Sequence, residues 1–496
     1  MTSLPFELND PTLLHFDAFI NAEWKASRSG KRFDILDPGS EVKWASCTDC
    51  LQEDVDTAVQ SSHAAFQTFC KSLPRDRSIM LMNWYNLVRQ NREDIATILT
   101  YETGKPLYGA QGEVDYASSF LRWFSGEAER VQGTTFLASL PNRRIFTIKQ
   151  PIGVAVALVP WNFPIAMVLR KAGAALAAGC TFICKPSPET PISCLVMADL
   201  AHRAGFPAGV LNVLPTSLEN TPHLSKALCE HPLVKKVSFT GSTRIGQLIE
   251  SLCAPQLKKV TLELGGNCPF VIFDDANLKQ TLDALMALKW RHAGQVCVTA
   301  NRIIVQSGIY EEFVQALREA TQALKIGHGA EKNIDIGPVT TPQSLPKIEA
   351  HISDAVSRGA QVVLGGNRIE SRPGYFFEPT ILRDMDEQML ASQEESFGPL
   401  ACLYRFETED EAVKLANATS MGLASYCFTK NVDRIWRLYE NLEAGMIGLN
   451  TGNSSAAESP FGGMKSSGYG KESGKDVAIN EYMVTKTGTL TLEGQF

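Results

Sequence analysis

Gly153-Val154-Ala155-Val156-Ala157-Leu158-Val159, then Pro160-Trp161-Asn162-Phe163-Pro164, then Ile165 to Ala178, is the passage on which the fold turns. Its first part is an apolar, β-rich run of the length of a buried strand. Pro164 suits the first turn of a helix, because the N–H it lacks would have no intrahelical partner there. Residues 164–178 read as that helix. Further short apolar strands are expected at Thr181–Cys184, Val210–Leu214, Lys235–Phe239, Val260–Leu264 and Pro269–Phe273, with a helix at Ile192–Ala204. Strands alternating with helices predict an α/β, doubly wound and largely parallel sheet.

Working outward, residues 52–131 read mostly as helix, starting at Glu53-Asp54-Val55-Asp56 and breaking at Gly104-Lys105-Pro106. On the other side a second α/β series begins. It comprises helices at Asn277–Trp290, Tyr310–Leu324, Lys347–Arg358 and Glu409–Ala416, and strands at Arg302–Val305 and Gln361–Leu364. Two β-prone segments fit neither series. Arg143–Gln150 and Glu481–Leu492 are polar on alternate positions, and are expected to pair with each other or with another subunit.

A chain of 496 residues exceeds the roughly 250–300 that one core sustains, so two or more lobes are expected. The balance of 47 basic and 54 acidic residues gives −7 with no long basic run, which argues against a nucleic-acid partner. A local basic pocket for an anion remains compatible with that charge. No apolar run reaches the roughly 18–20 residues of a membrane span, and Met1–Asp10 has neither an apolar signal core nor an Arg-rich amphipathic stretch. The expectation is a cytoplasmic enzyme, mitochondrial import being left open. Twelve scattered cysteines suit reduced thiols. Cys47-Thr48-Asp49-Cys50 has no second pair at zinc-binding spacing, and reads as two ordinary thiols in a surface segment.

Four groups carry chemistry. Cys297, after Gly294-Gln295-Val296, is a candidate nucleophile; it attacks as thiolate, which calls for a locally depressed pKa. Glu263 ends a β-rich run before Gly265-Gly266, where a carboxylate projects into a cleft and can activate water. Asn162 offers a side-chain N–H to an oxyanion, as does the backbone N–H of Cys297; the plain alternative for Asn162 is a helix cap. Trp161 and Phe163 beside it read as pocket walls or as core. Gly241-Ser242-Thr243-Arg244-Ile245-Gly246 follows a strand and opens a helix, the geometry that binds phosphate. Lys185 ends another strand, where ligands collect in open α/β sheets.

Taken together these blocks resemble the aldehyde dehydrogenase superfamily over nearly the whole chain, from Phe19-Ile20-Asn21 to Lys486. The branch most similar is that of succinate-semialdehyde dehydrogenases. The resemblance lies in Arg170-Lys171-Ala172-Gly173-Ala174-Ala175-Leu176-Ala177-Ala178-Gly179-Cys180, Glu394-Glu395-Ser396-Phe397-Gly398-Pro399-Leu400, Gly445-Met446-Ile447-Gly448-Leu449-Asn450 and Ser459-Pro460-Phe461-Gly462-Gly463-Met464-Lys465-Ser466-Ser467-Gly468. It implies two doubly wound α/β lobes plus a β oligomerisation segment. The NAD(P)-binding domain would comprise residues 1–132 and 152–263, the catalytic domain 264–477, and the oligomerisation segment 133–151 and 478–496. Cys297 matches the nucleophile, Glu263 the general base and Asn162 the oxyanion donor. Lys185, Pro188, Trp161, Gly241, Ser242, Gly246, Glu395 and Phe397 fall at cofactor-binding positions. Arg170, Arg291, Ser455 and Phe461 fall at substrate positions, the arginines gripping a distal carboxylate.

The implied reaction is oxidation of succinate semialdehyde through a cysteine thioester, as in GABA catabolism, by a homodimer or homotetramer without a metal. Glutarate semialdehyde or another pathway-specific aldehyde is the alternative. Pro188 stands where NAD-preferring relatives often carry Glu, so NADP, or both NADP and NAD, is expected. Thr299 replaces a second cysteine of several relatives. Asn453-Ser454-Ser455-Ala456-Ala457 is smaller and more polar than the usual segment. A cofactor-free thiol esterase is the rival chemistry; it would need a histidine base, for which His292 is nearby in sequence. A binding protein with a degenerate site is the other rival.

Overall fold

The computed structural model describes residues 4–494. The first three residues of Met1–Asp10 and the last two of the segment 478–496 lie outside the described residues. Two sheets organise the chain. The first has eight strands in the order 23–25, 18–20, 211–213, 181–185, 154–158, 234–240, 259–263 and 468–469. Its five central strands are parallel and its outer strands antiparallel. The chain runs from Val154–Leu158 outward to one side, then returns to build Val234–Thr240 on the other. The strand order therefore reverses between these two strands, the place where open α/β sheets bind ligands.

The second sheet has seven strands in the order 361–364, 380–383, 400–406, 300–306, 268–272, 424–428 and 446–449. All pairs but the first are parallel. Only Leu264 to Asn267 separate the last parallel strand of one sheet, Lys259–Glu263, from the interior strand Cys268–Ile272 of the other. That short link joins the two sheets beside Cys297.

Pro164–Ala178 is helical as its sequence requires, with Pro164 at the first position and Gly179 closing it at φ 93°. Every residue of it is buried. It packs under Leu107–Ala128, so a helix apolar but for Arg170 and Lys171 has protein on all sides. Four helices, Gln52–Phe69, Pro74–Gln90, Arg92–Thr103 and Leu107–Ala128, fill the region read as helical, and Gly104 turns the chain between the last two at φ 79°.

Arg143–Pro151 and Met483–Thr491 pair with each other, antiparallel, from Met483↔Pro151 to Thr491↔Arg143, and Thr135–Leu137 adds a third strand. Among the described residues no helix is long and apolar enough to cross a membrane. One expectation is corrected. Cys47 and Cys50 are fully buried, not in a surface segment, because Lys43–Thr48 is a strand that turns directly into the first long helix. Among the described residues no cluster of three or more potential metal ligands occurs.

Candidate active site

Each chemical group but Cys297 sits where a parallel strand ends. Trp161 and Asn162 follow Val154–Leu158, Lys185 closes Thr181–Lys185, Gly241 and Ser242 follow Val234–Thr240, and Glu263 closes Lys259–Glu263. The last two strands are adjacent, with Thr240 opposite Glu263 and the Gly241 N–H donating to the Glu263 carbonyl at 3.0 Å. The fold thus gathers residues more than 100 positions apart at one sheet edge.

Cys297 lies on a loop of unusual backbone. His292, Ala293 and Gly294 all have positive φ, at 49°, 51° and 76°. Two non-glycine residues in this region carry strain that surrounding contacts must hold. Gln295 supplies them: its Oε1 accepts from the Thr340 N–H at 3.0 Å and its Nε2 donates to the His292 carbonyl at 3.1 Å. Gly294 has no room for a side chain, since a Cβ there would strike the Gly398 carbonyl. A Cβ on Gly266 would likewise strike the Cys297 carbonyl. The loop is therefore pressed between the link and the segment that carries Glu395 and Phe397.

Asn162 is not a helix cap. Its Nδ2 donates to the Gln295 carbonyl at 3.0 Å, leaving one of its two side-chain N–H bonds uncommitted. Its own carbonyl accepts from Lys105 Nζ at 2.8 Å, and Lys105 pairs with the buried Glu113. Glu113 in turn accepts from the N–H groups of Ile165 and Ala166 at the start of the buried helix. The Cys297 N–H has no acceptor among the described residues.

The thiol departs from expectation. Burial pushes Cys297 up to about 12; the Glu395 carboxylate adds to the rise and Arg170 opposes it. Depression of its pKa, expected from the need for a thiolate, is absent because burial outweighs the lowering by Arg170. Glu263 is buried with no partner for either carboxylate oxygen among the described residues, and burial together with Glu472 raises its pKa well above the usual range. A carboxylate so placed is strongly basic once ionised. Glu472 behaves oppositely. Although burial opposes it, Lys171 and Arg170 hold Glu472 down at about 2.

Cys297, Arg170, Arg291, Ser455, Phe461 and Tyr116 line one cavity of about 560 Å³. All four residues at the expected substrate positions are thus brought to the nucleophile. Arg170 is buried, pairs with Glu472 at 2.9 Å and stacks over Phe461 at 3.9 Å, while its Nη1 has no partner among the described residues. Arg291 is exposed and stacks over Phe163 at 4.7 Å. Ser455 Oγ lies 2.5 Å from the Tyr116 hydroxyl. The chain matches the Aldehyde dehydrogenase family over residues 24–488.

The chain belongs to the aldehyde dehydrogenase family.

It is 44% identical to a succinate-semialdehyde dehydrogenase [NADP(+)] of Schizosaccharomyces pombe, over 96% of this chain and 95% of that one. It is equally, 44%, identical to a 3-sulfolactaldehyde dehydrogenase of Pseudomonas putida, over 97% and 98% of the two chains. A crystal structure of an E. coli NADP-dependent enzyme superposes with a TM-score of 0.96 at 43% identity, covering 98% of this chain and 100% of that one.

The other expected positions of this aldehyde dehydrogenase lie on the far side of the same edge. Lys185 is buried, its Nζ has no hydrogen-bond or ion-pair partner among the described residues, and its pKa is lowered to about 8 by burial. Ser242 precedes the helix Thr243–Cys253 without a side-chain cap, so the N–H groups of the first turn stay free. Gly246 serves packing, as a Cβ there would strike Leu264. Trp161 meets the Phe397 ring edge-on at 5.4 Å, and the Gly266 N–H donates to Glu395 at 3.3 Å. Burial raises Glu395 to about 7. Beside Pro188, the Glu189 carboxylate accepts from Ser187 Oγ at 2.5 Å.

His292 is no partner of the thiol. Among the described residues both its ring nitrogens lack hydrogen bonds, and it packs edge-on between Trp161 and Phe163. Sequence reading missed Lys171, Glu472, Lys105 and Glu113, and also Cys268, whose Sγ lies 3.5 Å from the Cys297 carbonyl. Charged residues inside apolar runs, such as Arg170-Lys171 in the buried helix, are the signal that was available.

Proposed function

We propose that the chain oxidises an aldehyde with an anionic tail, succinate semialdehyde foremost, to the acid through a thioester on Cys297, using NADP in preference to NAD. The observation that carries this reading is the shared cavity: two arginines and a serine face the same space as the nucleophile. A guanidinium fork suits a carboxylate, and among the described residues neither Arg170 Nη1 nor Arg291 has a hydrogen-bond or ion-pair partner.

The residues present fit a dinucleotide. A free helix start suits the pyrophosphate, a partnerless buried Lys185 suits ribose hydroxyls, and Glu395 with Phe397 would hold the nicotinamide end. Pro188 removes a carboxylate that would repel a 2′-phosphate, and the S. pombe relative is named for NADP. When bound, the nicotinamide supplies an acceptor for the two electrons released as the adduct becomes a thioester.

The chain does the rest. Cys297 as thiolate adds to the aldehyde carbon. The free N–H of Asn162 and the Cys297 backbone N–H hold the oxyanion. Glu263, ionised, takes a proton from the water that cleaves the thioester. We assign the dinucleotide to residues 1–132 and 152–263 and the thiol chemistry to 264–477. The segment 133–151 with 478–496 we assign to a homodimer or homotetramer contact: Phe136, Leu137, Phe146, Ile148 and Leu490 stand exposed on its three strands.

The test is NAD(P)H formation by the purified chain with succinate semialdehyde or butanal, each with NAD and NADP. The expected result is a preference for succinate semialdehyde of about 100-fold in kcat/KM, about 2–3 kcal/mol from charge-assisted hydrogen bonds. Equal turnover of butanal would overturn the anionic-tail reading, and better turnover with NAD the reading of Pro188. More than trace turnover by Cys297→Ala would overturn the thioester route. A sulfonate-tailed aldehyde is the second reading, favoured by the equal identity to the P. putida relative and the polar lining Asn453 and Ser454. Higher kcat/KM for 3-sulfolactaldehyde would select it.

A further inference from the structure

Behind the wall formed by Phe163, Ala287 and Arg291 lies a second cavity, of about 330 Å³. It borders the reaction cavity through those three residues but not Cys297. Two of its lining side chains are buried with unanswered polar atoms. Trp290 is 3% exposed and His292 5%, and among the described residues neither the indole Nε1 nor either imidazole nitrogen has a hydrogen-bond partner. Groups so buried are normally satisfied.

The cavity is opened by two helical glycines. Gly109 and Gly112 lie in the first two turns of Leu107–Ala128, and a Cβ built on either meets nothing within 4 Å. Glycine inside a helix is unfavourable relative to alanine. Here it leaves space instead of relieving a clash.

The charges around the space are unequal. Lys105 is tied to Glu113 and to the Asn162 carbonyl. Tyr108 donates to the Asp335 carbonyl at 2.9 Å, and the Asp335 carboxylate accepts from the Lys325 N–H at 2.9 Å. His292 is kept neutral by burial and by Lys105 and Arg291, so one ring nitrogen donates. Arg291 is the cation without a partner among the described residues that line it.

We propose that this second cavity binds a small organic acid with one carboxylate, held by Arg291 and the N–H groups of Trp290 and His292. The proposal rests on the reading of Arg291 as a carboxylate-binding group. The Asp335 carboxylate disfavours a second negative end, so the occupant is of the semialdehyde substrate's class and not that of a dicarboxylate product. Because Arg291 borders both cavities, a carboxylate held here withdraws it from the reaction cavity, and occupancy weakens substrate binding there.

The test is fluorine NMR of the full-length chain labelled with 5-fluorotryptophan, the Trp290 resonance being assigned by its loss in Trp290→Phe. Butanoate is expected to shift that resonance saturably, succinate more weakly, and butanamide not at all. Gly109→Met, and independently Gly112→Met, are expected to abolish the shift while melting no lower than the parent. No shift, an equal shift with butanamide or succinate, or a shift that survives both glycine variants overturns the proposal. Equal turnover of butanal and succinate semialdehyde with the Trp290 shift intact would instead overturn the reaction-cavity reading alone.

Discussion

Arg170 and Arg291 line one cavity in opposite conditions. Arg170 is buried in a helix that is buried throughout, and its charge is answered by Glu472 and two aromatic rings. Arg291 stands at the exposed rim, with a single ring beneath it and no carboxylate. A cation already answered inside the protein belongs to the fold first and to a ligand second. One without an answer costs the fold little to lose and is open to a ligand. The same contrast separates Lys171, which meets Glu472, Ser238 and Thr240, from the partnerless Lys185.

The contrast breaks most visibly at Arg170. Arg170→Met leaves Glu472 with Lys171 and Ser238 as its remaining partners, and removing one partner of a buried pair costs up to about 3–5 kcal/mol. Thermal scans are expected to show a midpoint several degrees lower. A midpoint equal to the parent's would erase the distinction. Arg291→Met is expected to melt with the parent while kcat/KM for succinate semialdehyde falls about 100-fold, about 2–3 kcal/mol, and the preference over butanal collapses. Loss of stability without loss of that preference would make the rim arginine structural too.

Lys185 sharpens the comparison at the other end of the site. A lysine lowered to about 8 by burial gains nothing for the fold from its charge. Lys185→Met is expected to hold or raise the thermal midpoint, while KM for NADP rises about tenfold, about 1.4 kcal/mol. A lower midpoint with unchanged KM would assign this lysine to the fold.

What was legible in the sequence follows the same line between local and distant. The helix Pro164–Ala178 and the strand ends at Lys185 and Glu263 could be read because proline position and apolar run length are local signals. The strands Ala18–Ile20 and Glu23–Lys25 span three residues each, too few for any period to show. Glu472 escaped notice because Arg170, which gives it meaning, is 302 positions away. The Cys297 thiol was expected to be depressed, since its motif signals a nucleophile, whereas its pKa is set by burial that the motif does not encode.

That thiol offers the finest test of the two arginines. With burial holding it up at about 12, its thiolate fraction grows tenfold per pH unit well below that value. Alkylation of Cys297 by iodoacetamide in the dinucleotide-free chain is therefore expected to quicken about tenfold per unit between pH 7 and 9. Peptide mapping can follow it, as ten of the other eleven cysteines are buried. Arg170 is the nearby cation that favours the thiolate. Its removal raises the thiol further, so at pH 8 Arg170→Met should alkylate more slowly, by up to about tenfold for one pKa unit. Arg291→Met should keep the parent's rate. The reverse order would mean that the exposed cation governs the nucleophile, and that the buried one is fully spoken for by Glu472.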